Sequence, residues 1–359
     1  MIEMLDLRGG LRRALEESGE PGAAELYDFL RELLDGDDPA NRVHGLCRLK
    51  ARVFRLEIAG ETPWRSIVLK RLEPSVAQRN RLIAERWLPA LGLTDRCARL
   101  LGTAADRRGA CVWHAYEDLG DETLADRLDP ERIEATVDFI AELHTRAAHH
   151  PVLPDARRYV GSLGIQYFTA NVGDAIAALE QFAGAAIETP REYAGLSDRL
   201  LDRLVALLAD TPRRAQVFEQ AAGPDTLLHG DLWTINVFVV ATAGGLRARL
   251  VDWDRTGVGP FSYDLSTFLF RFPQAQRRGI LERYRDAVAR AGGHVASPSE
   301  LGVLFDTAER ARYANRVIWP VQALMQERAA GGFPELAEVE RWFQALDAVS
   351  PSDRNGIAC

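Results

Sequence analysis

A single β-hairpin inside an otherwise helical stretch constrains this chain more than any other feature. Over Thr226–Val251, short apolar runs (Leu227-Leu228, Val237–Val240 and Leu250-Val251) alternate with polar loops, and Gly244-Gly245 marks the turn before the last run. Acids stand at both ends: Asp231 ahead of the hairpin, Asp252 and Asp254 behind it. The surroundings read differently. Ile133, Val137, Ile140, Ala141 and His144 recur at helical spacing, and residues 157–183, 192–209 and 298–347 are mostly helical in pattern. A lone hairpin among helices, with carboxylates at its ends, points to a site.

Before Gly120 the period is different again. Residues 8–36 predict two short helices, with Leu26, Phe29, Leu30, Leu33 and Leu34 on one stripe and Gly36 as the stop. Arg52–Ile58 and Ser66–Leu72 predict a hairpin turned at Ala59-Gly60-Glu61-Thr62-Pro63. Pro74 opens a helix that runs to about Leu88, where Pro89 is expected to stop it. A further strand pair is expected between Ala98 and Tyr116. A β-rich part followed by a helical part predicts an α+β fold.

Composition narrows the classes. The chain has 359 residues, 47% of them hydrophobic, enough for a substantial core and against intrinsic disorder. No apolar run approaches bilayer length and the N-terminal residues carry no apolar signal segment, so a cytoplasmic location without a membrane partner is expected. The four cysteines, Cys47, Cys97, Cys111 and Cys359, form no CxxC pair and suggest neither zinc site nor disulfide framework. A net charge of −8 argues against nucleic acid and suits a cationic small substrate. Of 44 basic side chains only Lys50 and Lys70 are lysine. Where arginine serves nearly everywhere, a surviving lysine marks either a need for a compact ammonium or chance.

Asp231 on a short loop and Asn236 five residues later, leading into a strand, can converge on one point. The hairpin then returns Asp252 to that Asn. Phosphoryl transfer needs such a set: one carboxylate to orient a hydroxyl and take its proton, an Asn and a second carboxylate to hold Mg²⁺ on nucleotide phosphates.

His229-Gly-Asp231 with Asn236, followed by the strand-end run Asp252-Trp-Asp254, resembles the motif pair of the aminoglycoside phosphotransferase and choline kinase-like family. The resemblance implies the bilobal protein-kinase-like fold, with a β-rich N-lobe carrying one prominent helix and a mostly helical C-lobe. It divides the chain into a nucleotide-binding lobe over residues 1–118 and a catalytic, acceptor-binding lobe over 119–359. It implies Asp231 as catalytic base, Asn236 and Asp252 as Mg²⁺ ligands, and His229 and Gly230 as shaping the loop. Asp254 is either near the metal or a loop cap, and Asp264 in Gly257–Leu265 braces the loop through backbone hydrogen bonds. Lys70, ending the apolar run Ser66–Leu69, is the expected phosphate lysine, with Glu85 fifteen residues on as its helix partner or as an i−4 surface pair with Arg81. Glu117 and Leu119 in Glu117-Asp118-Leu119-Gly120 resemble the hinge that meets the nucleotide base through backbone groups, near Tyr116. The chain departs from protein kinases at Val43–Val53, where one glycine replaces GxGxxG and Lys50 is either a phosphate contact or an exposed loop lysine.

The expected activity is transfer of phosphate from ATP, or GTP, to the alcohol group of a small acceptor. Aminoglycosides and other hydroxylated antibiotics, choline, homoserine and sugars all stay open, as does a catalytically silent nucleotide-binding protein. The acceptor pocket is expected from residues 150–210 and 298–345, with Trp233, Trp319 and Tyr313 as candidate lining and Glu188, Glu192 and Asp198 as candidates to greet an amine, or as solvated surface acids.

Overall fold

The computed structural model describes residues 10–17, 19–34, 42–59, 63–185, 187–326 and 331–348. The helix stop at Gly36, turn residues 60–62 and Cys359 lie outside the described residues. In chain order the elements are α1 (Gly10–Glu17), α2 (Ala23–Leu33), β1 (Arg42–Lys50), β2 (Val53–Ala59), β3 (Ser66–Leu72), α3 (Pro74–Leu82), α4 (Leu88–Ala90), β4 (Leu100–Ala105), β5 (Val112–Glu117), α5 (Pro130–Ala147), α6 (Val152–Ala156), α7 (Ile165–Ala183), α8 (Leu196–Ala209), α9 (Thr211–Ala221), β6 (Asp225–Leu228), β7 (Val237–Thr242), β8 (Gly245–Leu250), β9 (Gly257–Pro260), α10 (Ser262–Leu269), α11 (Gln274–Arg290), α12 (Pro298–Gln326) and α13 (Gly332–Ala348). They form two compact units, Met1–Arg132 with Ile235–Asp254, and Ile133–Thr234 with Arg255–Cys359.

The first unit is built on an antiparallel five-stranded sheet of order β1-β2-β3-β5-β4. The hairpin expected over 52–58 and 66–72 is thus the middle of a larger sheet. Residues two apart on a strand share a face, so Ile67 and Leu69 are buried while Val68 and Lys70 face the other way. On the buried face Leu56, Leu69 and Trp113 meet Leu11 and Leu15 of α1 and Leu26 and Leu30 of α2. The Trp113 indole N–H donates to the Pro21 carbonyl at 2.9 Å, so the ring is buried without an orphaned donor.

After α3 the helix widens into a π-turn over Ile83–Trp87 and closes with α4. It passes Leu88 because Pro89 falls in the first turn of α4, where a missing N–H costs nothing. The β7–β8 hairpin belongs to this unit. The Leu124 N–H donates to the Val237 carbonyl at 2.8 Å, and Cys97 bridges Leu250.

The second unit carries the helices. Phe168 and Leu179 of α7, Leu200 and Leu204 of α8, Val317 and Val321 of α12 and Phe343 of α13 form one core. Here β6 pairs with β9, Leu228 opposite Gly257, and not with the neighbouring hairpin. A Cβ on Gly257 would lie 2.5 Å from the Leu163 side chain, so only glycine allows that approach. Among the described residues no helix is long and apolar enough to cross a membrane.

Leu56, with no exposed surface, lies in the core between sheet and helices. Leu56→Ala is expected to cost about 2–5 kcal/mol, read as a shift in the midpoint of denaturant unfolding.

Candidate active site

In the first unit a cavity of about 340 Å³ opens on the face of the sheet opposite α1 and α2. Its walls are apolar, from Val53, Val68, Ile83, Ala98 and Leu250, and its polar groups include Lys70, Asn80, Asn236 and Asp252. Lys70 is the hub. Its ammonium lies 2.6 Å from Asp252 Oδ1 and 2.7 Å from Asp254 Oδ1. Burial alone would lower its pKa, but the two carboxylates outweigh that and hold it above its ordinary value. Asn80, buried on α3, donates through Nδ2 to Asp254 Oδ1 at 3.0 Å.

The hairpin brings Asn236 beside these groups, since the Val251 N–H donates to the Asn236 carbonyl at 3.0 Å and Asp252 follows at once. Asp252 has φ 66, the left-handed region that a side chain rarely occupies outside Asn, Asp and Gly. Opposite Lys70 on β5 is His114, whose Nδ1 lies 2.8 Å from the Tyr116 hydroxyl. Burial, helped by Lys70 and Arg81, brings His114 down to about 4, so its ring adds no charge near Lys70 at neutral pH.

In the second unit the loop His229-Gly230-Asp231 leaves β6. Asp264, wholly buried in the first turn of α10, accepts the His229 N–H at 2.7 Å and the Gly230 N–H at 2.8 Å. His144 Nε2 stands 3.5 Å from the same carboxylate, with its Nδ1 2.9 Å from the Tyr284 hydroxyl. Burial pushes the Asp264 pKa up, but His144, His229 and the Gly230 N–H hold it below the usual carboxylate range. Gly230 has φ 82, and a Cβ there would lie 1.9 Å from the Arg255 carbonyl oxygen. The Asp231 N–H donates to His229 Nδ1 at 3.3 Å. Asp231 lines a cavity of about 570 Å³ with Trp233, Tyr263, Arg271, Arg312 and Tyr313.

Several expectations need correction. Glu85 does not hold Lys70. It is half exposed and accepts from Arg81 at 2.7 Å, the surface-pair alternative. The π-turn at Ile83–Trp87 breaks the helical period just where Glu85 was to be placed, and Asn80 joins the Lys70 cluster instead. Asp254 is tied directly to Lys70 and Asn80, and Lys50 ends β1 and lines the cavity. Glu117 and Leu119 line it too, but the Glu117 carboxylate turns to the Arg99 N–H at 2.6 Å and to Arg249. Trp319 is 56% exposed, and Glu188, Glu192 and Asp198 are surface residues apart from the Asp231 cavity. The contributions of Asn80, Arg271 and Arg312 had no local signal.

The family described as "Phosphotransferase enzyme family", APH, matches residues 50–304, and the chain belongs to it. It has the α+β protein-kinase-like fold, and its family is one of phosphotransferases. Among solved structures it is similar to a Plasmodium vivax ethanolamine kinase, with 9% identity over 96% of this chain and 95% of that one and a TM-score of 0.58. A spectinomycin phosphotransferase in complex with ADP and spectinomycin gives 12% identity, 92% and 97% coverage and a TM-score of 0.55. A choline/ethanolamine kinase family protein from Mesorhizobium loti gives 16%, 94% and 98%, and 0.51. No curated protein matches.

Because the folded-state pKa of Asp264 is depressed, its contribution to stability is present above the ordinary carboxylate pKa of about 3.9 and is lost as pH falls below it. Melting temperature against pH should therefore fall more steeply below about pH 4 for the wild type than for Asp264→Asn. Gly230→Ala should unfold the loop geometry, lowering the melting temperature and abolishing activity together.

Proposed function

We propose that this phosphotransferase moves the γ-phosphoryl group of ATP or GTP to the hydroxyl of a small molecule, with Asp231 as base. The observation that carries the reading is Lys70 set between Asp252 and Asp254 beside a largely apolar cavity. Apolar walls at Val53, Val68 and Leu250 suit a purine ring, and Glu117 and Leu119 line the same space. The Lys70 ammonium suits the phosphates, exchanging a carboxylate for a phosphate oxygen when nucleotide enters.

The donor set fits Mg²⁺. Asp252 and Asn236 supply hard oxygen ligands, and among the described residues no cluster of three or more His, Cys, Asp or Glu could hold a metal alone. That suits a cation that takes its remaining ligands from water and phosphate. Bound there, Mg²⁺ supplies charge neutralisation on the transferred group. Asp231 accepts the acceptor's proton as its oxygen attacks phosphorus, and Asp264 keeps the Asp231 loop in place. The neighbours crystallised with ADP and spectinomycin, or with GDP and kanamycin, support a nucleotide donor and a hydroxylated acceptor. A cytoplasmic location, where ATP and GTP are at hand, suits this reading.

With MgATP and a panel of hydroxylated acceptors, ADP release should depend on magnesium. Asp231→Asn should lower kcat by about 10²–10⁴ while nucleotide affinity is retained. Lys70→Met should instead raise the KM for ATP. An Asp231→Asn enzyme with wild-type kcat would refute the assignment of the base.

A further inference from the structure

We infer that the acceptor carries an anionic group, a carboxylate or phosphate, held by Arg271, and is not a polyamine. The word acceptor rests on the reading above; the charge preference rests on the cavity alone. Four arginines line the Asp231 cavity, Arg255, Arg271, Arg312 and Arg316, against the acids Asp231, Glu309 and Glu338. Two of these charges cancel. Arg312 is closed off against Glu309, both nearly buried, and bonds further to Ser266 Oγ at 3.1 Å and to the Tyr263 carbonyl. Three arginines then face two carboxylates, Asp231 and the exposed Glu338, which leaves one positive charge in excess.

Among the described residues none of Arg255, Arg271 and Arg316 makes an ion pair. Arg271 stands out. Its Nε is buried without a hydrogen-bond partner, and its guanidinium is centred 3.9 Å from the Trp233 ring, two residues from Asp231. Stacking on an indole fixes the plane of a guanidinium and leaves its in-plane N–H groups to meet a carboxylate or phosphate in two parallel bonds. A second sign of uncompensated charge is Arg277, held below its ordinary pKa by burial and by Arg271. A polycation entering this cavity would meet net positive charge, and the surface acids Glu188, Glu192 and Asp198 do not line it. The overall charge of −8 is therefore a poor guide to the site. Tyr263, Tyr313 and Trp342 in the walls favour an acceptor with a flat or apolar part.

The test uses three alcohols of one shape: para-hydroxymethylbenzoate, its amide, and para-hydroxymethylbenzylamine. Binding to the full chain is read by titration calorimetry, and phosphoryl transfer separately by ADP release with MgATP. The benzoate should bind at least about tenfold more tightly than the amine, about 1.4 kcal/mol. Arg271→Met should erase that preference and Arg271→Lys should keep part of it, with unchanged melting temperatures excluding misfolding. Equal or tighter binding of the amine, no binding of the benzoate at millimolar concentration, or a preference that survives Arg271→Met overturns the inference. Charge preference without transfer to any acceptor overturns the kinase reading and leaves this one standing. Transfer to the amine ahead of the benzoate does the reverse.

Discussion

A carboxylate with no access to water holds the loop that carries Asp231. Asp264 accepts the backbone N–H groups of His229 and Gly230, and each would otherwise be a buried donor without a partner, at about 1–3 kcal/mol. The charge itself is made tolerable by His144, which is in turn held by Tyr284. From this one acceptor the other features of the loop follow. Gly230 takes its left-handed turn because two successive N–H groups must point at one carboxylate, and the turn packs so closely on Arg255 that no side chain fits. Asp231 then leaves the loop in a direction the backbone has already fixed.

In the first unit the ordering force is charge, not hydrogen-bond saturation of the backbone. Asp252 and Asp254 would repel across a short distance without the Lys70 ammonium between them. The sheet supplies that ammonium with its direction, because burial of Ile67 and Leu69 on one face commits Lys70 to the other. His114, neutral through burial, lets Lys70 keep its charge without a cationic neighbour across the strand pair.

What could be read from the sequence was what local pattern encodes. The switch from strand period to helix period gave the α+β class, and the spacing of Asp231, Asn236 and Asp252 around one hairpin is what the proposed chemistry rests on. The β6–β9 pairing was not legible, because Gly257-Val-Gly-Pro260 reads as a turn until Leu163 is seen packed against its glycines. Nor was the π-turn, which one extra residue per turn creates without any composition signal, and which left Glu85 with Arg81. The arginines around Asp231 come from the turn before β9, from the loop after α10 and from α12, and only folding brings them to one cavity.

Asp252 sits in a conformation that asparagine and glycine share with little strain and that other residues resist. Its codon lies one base from that of asparagine. Drift at this position is thus channelled toward a neutral isostere that would keep the backbone and the hairpin while removing the charge. On the metal-binding role proposed for Asp252, one dihedral angle gives this fold a short evolutionary path from an enzyme to an inert relative of the same shape.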